Sequence, residues 1–283
     1  MTVFAEERRR QIAALVASAR AVSVTDLAAR FGVSESTIRR DLRELEEAGL
    51  VERTHGGAVL PDLRRYEPSF HQKEGERRQE KEAIARVAAR LVKDGDTIIL
   101  DSGTTTLALA RLLRGRTNLT VVTNSTVIAA ELACAPGVEV VVTGGILKGR
   151  TLALVGAQVA RFLSQVNVDR VFLGINGIHL EAGLTTPTLA EAETKQAMIG
   201  AAREVVVLAD HTKLGRVTFA HVASLQEVHR LITDAGAQPQ FVQQLREVGL
   251  DVQVAPLDAR VMDASPVEAP ATGRGGRAKD VSG

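Results

Sequence analysis

Tryptophan is absent from these 283 residues and tyrosine occurs once, so aromatic side chains make up only 3% of the chain. A core must therefore be built from Val, Leu, Ile and Ala, and a groove that stacks sugar rings or single-stranded bases on aromatic platforms is disfavoured. A single cysteine, Cys134, rules out an intrachain disulfide, and its apolar surroundings predict a small buried hydrophobe. The opening MTVFAEERRRQ lacks the apolar segment of a secretory leader. No stretch reaches the length of about 18 apolar residues that a membrane helix needs. A cytoplasmic protein with no membrane partner is expected. The histidines show neither His-x-x-x-His nor Cys–His spacing, and Gly144–Gly149 is not G-x-G-x-x-G. Neither a metal nor any other cofactor is expected. Charge excess is missing too. The net charge is +1, and residues 1–60 balance nine Arg against nine Asp or Glu, so binding to nucleic acid has to be argued from where the charges sit.

What is present is 45% hydrophobic and 24% charged residues, the balance of a soluble globular chain long enough for one small and one ordinary domain. Residues 1–60 read as three helices and a hairpin. The first helix, about 5–18, carries Ile12, Leu15, Val16 and Ala19 at helical spacing. After a short extended piece at Val22–Val24, a second helix, about 24–31, breaks at Gly32. Ser34 caps a third, about 35–48, whose apolar seam is Ile38, Leu42 and Leu45. Val51–Arg53 and Ala58–Leu60, joined across His55-Gly56-Gly57, read as a two-stranded wing. Residues 61–80 are polar with two prolines, and read as a linker. From there to about 260, short β-branched runs alternate with helices: Thr97–Leu100, Leu119–Thr123, Val138–Thr143, Arg170–Ile175, Val205–Ala209, Arg230–Thr233 and Val252–Ala255. Apolar runs separated by helices imply a largely parallel sheet covered on both faces. Residues 261–283, rich in Ala, Pro and Gly without periodicity, read as a disordered tail.

Two helices separated by a Gly-containing break have helix-turn-helix spacing, though three helices can also pack without binding anything. The charge order on the third helix separates these readings. With Ile38, Leu42 and Leu45 inward, Ser36, Arg40 and Arg43 point outward, flanked by Thr37 and Arg39, while Glu44, Glu46 and Glu47 crowd the far end. Cations near a helix N-terminus and carboxylates near its C-terminus oppose the macrodipole, at about 0.3–1 kcal/mol each before screening. A sequence tuned only for stability has no reason for that order. A recognition helix has one, because its N-terminal half meets the major groove of duplex DNA. Ser34, Ser36, Thr37, Arg39, Arg40 and Arg43 are the expected DNA-reading residues, with Arg53 and His55 on the wing as phosphate contacts. Arg8–Arg10 are either further phosphate contacts or a solvated face.

The segment VSVTDLAARFGVSESTIRRDLRELEEAGLVERTHGGAVL, above all Ser34–Leu42 and Arg53–Ala58, resembles the N-terminal domain of the DeoR/GlpR family of bacterial sugar-metabolism regulators, with the likeness running from about residue 6 to 256. The resemblance implies a winged-helix reader of operator DNA, usually a repressor, joined to a Rossmann-like α/β domain that resembles ribose-5-phosphate isomerase in fold and senses a phosphorylated sugar. The residues supply their own argument for an anion site. Asp101-Ser102-Gly103-Thr104-Thr105-Thr106 follows a strand and opens a helix, where free N–H groups and hydroxyls converge. Capping alone is the competing reading. By the resemblance, this segment matches the isomerase's phosphate loop and Ala209–Lys213 its later Asp-x-x-Lys segment. Asn124, Gly144, Asn176 and the helix holding Glu191 and Lys195 fall at or beyond predicted strand ends, where ligands of open α/β sheets bind. The expected effector site is thus Asp101, Gly103, Thr104, Thr105, Thr106, Asn124, Gly144, Asn176, Glu191, Asp210 and Lys213. Gly183–Pro187 reads as a turn or lid.

The resulting expectation is a repressor of a sugar operon, not an enzyme, acting as a homodimer or larger homo-oligomer. Two alternatives stand beside it. One is a sugar-phosphate isomerase with an accessory DNA domain, using Glu191 or Glu193 as base. The other is a constitutive DNA binder whose α/β domain only oligomerises.

Overall fold

Residues 4–60 and 67–257 are described by the structure, a computed structural model. The expected tail, 261–283, and the first part of the expected linker, 61–66, lie outside the described residues.

In the first stretch, helices α1 (Ala5–Ala19), α2 (Val24–Phe31) and α3 (Glu35–Glu47) pack around Ile12, Val16, Leu27, Ile38, Leu42, Leu45 and Val51. Each break has a local cause. Ser23 accepts from Asp26 N at 3.0 Å to start α2, Gly32 turns the chain in the left-handed region at φ +63, and Ser34 accepts from Thr37 N at 3.2 Å to start α3. The wing gains a third strand. The short piece after α1 is β1 (Ala21–Ser23), which pairs with the wing strands β2 (Glu52–Arg53) and β3 (Gly57–Val59) in the antiparallel order β1-β3-β2. Gly57 permits this, since a Cβ there would strike the Val22 carbonyl oxygen.

The polar stretch from Glu67 to Glu80 is not linker, as the sequence reading had it. A capping box at Ser69 and Gln72 starts α4 (Phe70–Gly75), Phe70 is buried, and α5 (Arg78–Ala89) follows directly.

Beyond α5 the chain alternates strands and helices: β4 (Thr97–Leu100), α6 (Thr104–Leu113), β5 (Leu119–Thr123), α7 (Thr126–Leu132) and β6 (Val138–Val142). A hairpin, β7 (Ile146–Lys148) and β8 (Ala153–Val155), leads through α8 (Ala157–Leu163) to β9 (Val168–Gly174). The later elements are β10 (Gly177–His179), β11 (Gly183–Thr186), α9 (Leu189–Gly200), β12 (Ala202–Leu208), β13 (Ala220–Ala223), β14 (Arg230–Asp234), α10 (Pro239–Glu247) and β15 (Asp251–Ala255). The apolar runs read from the sequence form one parallel sheet in the order β15-β14-β12-β9-β4-β5-β6, with separate apolar cores on its two faces. Strand order reverses between β4 and β9, so a crevice opens beyond their carboxyl ends. Gly183–Thr186, expected as a turn or lid, is instead the buried central strand of a small antiparallel sheet, β10-β11-β13. Cys134 is exposed, correcting the buried reading, because it falls in the turn after α7 has ended.

Candidate functional site

Two surfaces carry the chemistry. On α3, Ile38 and Leu42 are buried and the outward set stands as the helical spacing requires. Ser36, Arg39, Arg40 and Arg43 are exposed, and the Arg40 side chain keeps 82% of its surface. Arg40 Nε lies 3.7 Å from Glu44, and Arg39 donates to Glu35 at 2.9 Å, both pairs that solvent weakens. The Ser34 hydroxyl, besides capping, lies 2.7 Å from that of Ser36 and 2.9 Å from that of Thr37. Thr54 N donates to Gly57 O at 3.0 Å, which places His55 at the exposed tip of the wing. Arg53 is tethered to the back of α3, its N–H 3.1 Å and its guanidinium 3.6 Å from Glu46.

Arg8 departs from both readings given for it. It is buried and forks onto Asp41, Nε to Oδ2 at 2.6 Å and Nη2 to Oδ1 at 3.2 Å. The signal was in the sequence. Asp41 falls within the 38–42–45 seam, and a carboxylate on a core face demands a cation.

The second surface is the crevice at the β4–β9 switch point, of about 800 Å³ including its open mouth. Of the expected effector residues, Gly103, Thr104, Thr105, Thr106, Asn176, Glu191, Asp210 and Lys213 line it, and Asp101, Asn124 and Gly144 do not. The α6 N-terminus has Gly103 as its cap residue with no side-chain cap bond, so capping does not account for the threonines. The first-turn N–H groups of α6, at Thr104–Thr106, have no intrahelical acceptor. Thr106 is different: its buried hydroxyl donates to Gly103 O at 2.9 Å and so shapes the turn. Asn124 lies behind the loop, accepting from Ser102 N at 2.8 Å and donating to Leu154 O at 3.2 Å. Asp101 sits below the floor, where it accepts from Gly174 N at 3.0 Å and pairs with Lys195, whose Nζ donates to Gly174 O at 2.9 Å. These two residues clamp the ends of β4 and β9. Gly144, at φ +70, only turns the chain after β6.

Asp210 accepts from Thr212 N at 3.0 Å and from the Thr212 hydroxyl, with Arg77 Nε 3.6 Å and Lys213 Nζ 3.8 Å away. Burial acts to raise its pKa, but Lys213, Thr212 and Arg77 outweigh it and hold Asp210 below the usual carboxylate range. Burial pushes Lys213 down despite Asp210. It also pushes Lys81 down to about 8, with Lys81 Nζ donating to Glu76 O at 2.5 Å and to Lys73 O. Lys73, Arg77, Lys81 and Glu67 were all missed by the sequence reading. They belong to or directly follow the stretch read as linker, and the S-x-x-Q box at Ser69 was the available sign that it folds. Glu191 pairs with Lys148 at 2.6 Å, and burial and then neighbouring Glu67 raise its pKa. Glu193 faces solvent. Among the described residues no cluster of His, Cys, Asp or Glu is arranged to hold a metal ion, and no helix is long and apolar enough to cross a membrane.

A winged helix presenting exposed arginines, followed by a parallel α/β domain with a crevice of lysines and carboxylates at its switch point, defines a DNA-binding transcription regulator with a sensor domain. Comparison with known proteins gives the particular family. Residues 8–64 match the DeoR-like helix-turn-helix domain and residues 76–235 the DeoR C-terminal sensor domain. The chain belongs to the DeoR family. It is 42% identical over 246 residues to the HTH-type transcriptional regulator GlpR of Haloferax volcanii, covering 87% of this chain and 96% of that one. It is 35% identical over 248 residues to the glycerol-3-phosphate regulon repressor of Escherichia coli K12, covering 88% and 98%. Among solved structures, ribose 5-phosphate isomerase A of Methanocaldococcus jannaschii matches with a TM-score of 0.36 and 22% identity, over 47% of this chain and 53% of that one.

Proposed function

We propose that this regulator is a cytoplasmic repressor of a sugar-uptake or catabolic operon, binding operator DNA through α3 as a homodimer and released when a phosphorylated sugar occupies the crevice. The observation that carries this reading is the convergence of the free α6 N-terminus, Thr104, Thr105, Arg77, Lys81 and Lys213 on one crevice. Helix N–H groups and buried ammonium groups together form a site for a phosphate dianion. A dimer follows from operator geometry, since one winged helix covers too few base pairs and two read paired half-sites. Turnover is disfavoured because, of the two candidate bases Glu191 and Glu193, the one that lines the crevice, Glu191, is held by Lys148, and Glu193 faces solvent. Oligomerisation alone gives no reason to bury lysines in a crevice, which argues against the constitutive reading.

The route from effector to operator is short in sequence. Glu67, Phe70, Lys73 and Arg77 form part of the crevice wall, and Glu67 is where the connection from the DNA-binding domain enters. A ligand that prefers one position of this wall biases the DNA-binding equilibrium through that difference in affinity. The test is operator affinity by fluorescence anisotropy, with and without saturating sugar phosphate. Lys213→Ala and Thr105→Ala proteins bind operator normally but need about 10- to 100-fold more ligand for release, the value of a charge-assisted hydrogen bond. Release of either variant at the wild-type ligand concentration places the phosphate elsewhere.

A further inference from the structure

Glu67 brings a carboxylate into the crevice beside Glu191. Its Oε1 accepts from Lys73 Nζ at 3.1 Å, and its carbonyl oxygen accepts from Arg150 Nε. The backbone is tied across the same point, Phe70 N donating to Arg150 O at 2.8 Å. Lys148 Nζ bonds Glu191 Oε1 at 2.6 Å and lies 3.7 Å from Glu67 Oε2. Both lysines are thus committed to carboxylates. The hydroxyl of Thr151, a residue 6% exposed, has no hydrogen-bond partner, and Glu67 Oε2, on a side chain 9% exposed, has no N–H donor within bonding distance. Thr151 N donates to Lys148 O at 3.2 Å, so the turn between β7 and β8 presents Lys148 and Thr151 together. Buried polar atoms are nearly always bonded, and a hydroxyl that is not, on one crevice with a carboxylate oxygen that no N–H group reaches, marks bonding capacity kept for a ligand.

The kind of capacity identifies the ligand group. Burial would raise the pKa of Glu67, but Lys73, the hydrogen bond with Glu191 and Lys148 outweigh it and hold the carboxyl at about 2. Glu67 is therefore an ionised carboxylate, which only accepts, and a hydroxyl beside it can donate or accept. We infer that Glu67, Thr151 and Glu191 form a hydroxyl subsite, which selects effectors carrying one phosphate and an uncharged polyol over doubly anionic analogues. The inference rests on the phosphate reading above and concerns the rest of the same ligand. A second phosphate or a carboxylate would set acceptors and negative charge against the ionised Glu67, whose neighbouring lysines are already engaged.

The test is calorimetric titration of the full chain with three monophosphates (fructose 1-phosphate, fructose 6-phosphate and glycerol 3-phosphate), with fructose 1,6-bisphosphate and 6-phosphogluconate, and with inorganic phosphate. The tightest monophosphate binds at least about tenfold more tightly than either double anion. Glu67→Gln, which removes charge and keeps shape, narrows that gap by about tenfold and leaves inorganic phosphate binding unchanged. Thr151→Val weakens the monophosphate about fivefold at an unchanged melting temperature, because its hydroxyl has no protein partner to lose. Three results overturn the subsite while leaving the phosphate site standing: double anions binding as tightly as the monophosphate, monophosphates binding no tighter than inorganic phosphate, or a gap unmoved by Glu67→Gln with Thr151→Val neutral. Failure of every probe to bind, inorganic phosphate included, overturns the phosphate reading and the subsite with it.

Discussion

The basic side chains of the two domains meet solvent in opposite ways. On α3, Arg40 and Arg43 stand in water, with at most a long contact to a glutamate of their own helix. In the crevice, Lys81 and Lys195 are buried, each ammonium already held by backbone carbonyls or by Asp101. The difference follows from the size of the anion. A DNA duplex is a long polyanion whose released counterions supply the affinity, so its partner need only hold charges outward and in register. A small dianion must be stripped of water inside a pocket, and the cations that receive it have to be fixed and partly compensated before it arrives. Exposed charge lines α3, and buried charge surrounds the crevice.

Neighbouring residues on α3 put that contrast to its hardest test. Asp41 is a buried carboxylate of the small domain, and Asp41→Ala takes from the buried Arg8 guanidinium the carboxylate it forks onto. Losing one partner of a buried pair costs about 3–5 kcal/mol. A domain of this size has only about 3–9 kcal/mol of stability in all. The expected outcome is a winged helix largely unfolded at 37 °C, seen as the loss of its own calorimetric transition while the α/β transition stays. One position earlier, Arg40→Ala leaves that transition within about 0.5 kcal/mol of wild type and costs operator binding about 1–3 kcal/mol. If Arg40→Ala binds operator like wild type across a salt titration, the outward face of α3 is not the reading face. If Asp41→Ala melts like wild type, the Arg8–Asp41 fork contributes nothing to the fold.

How much of this could be read from the chain depended on the length of the repeating pattern. The seven apolar runs gave the sheet because a buried parallel strand repeats β-branched residues without interruption, and the α3 seam gave the outward arginines because helical spacing leaves no choice of face. The small sheet β10-β11-β13 was not legible. Gly183-Leu184-Thr185-Thr186 is a strand through its pairing with β13 across more than thirty residues, and its turn-like composition hid that. At the crevice, residues at strand ends were found because the fold gives them an address. Asn124 and Asp101 shared that address yet serve the scaffold, since which side of a loop a side chain takes is set by tertiary bonds to Ser102, Leu154 and Lys195. The lysines of the segment after Glu67 were missed because their mixed charge and two nearby prolines outweighed one capping box.

The smallest expected effect separates the two kinds of cation by pH alone. Lys81 titrates at about 8 in the folded chain, because burial disfavours its charge more than Asp210 and Glu76 favour it, and Lys213 and Lys73 add repulsion. Unfolded, it returns to its ordinary value near 10.4. Between those values the unfolded chain holds a proton that the folded one has released. Stability on account of Lys81 therefore rises with pH across that window, and the cost of its buried charge is present in full below about 8. Effector binding has the opposite sign. A phosphate beside Lys81 favours the charged form, so binding above about pH 8 takes up a proton and weakens as pH rises, by at most about tenfold per unit. The phosphate itself does not blur the result, since its second ionisation is complete by then. The proposed operator surface on α3 carries arginines, which stay charged throughout. Titrating a sugar phosphate by calorimetry and operator DNA by anisotropy at pH 7, 8 and 9 gives a falling affinity for the first and a flat one for the second. A flat response from both would move the phosphate away from Lys81. A fall in both would mean that the operator surface, too, contains a group titrating near pH 8, and the contrast between open and buried charge would not hold.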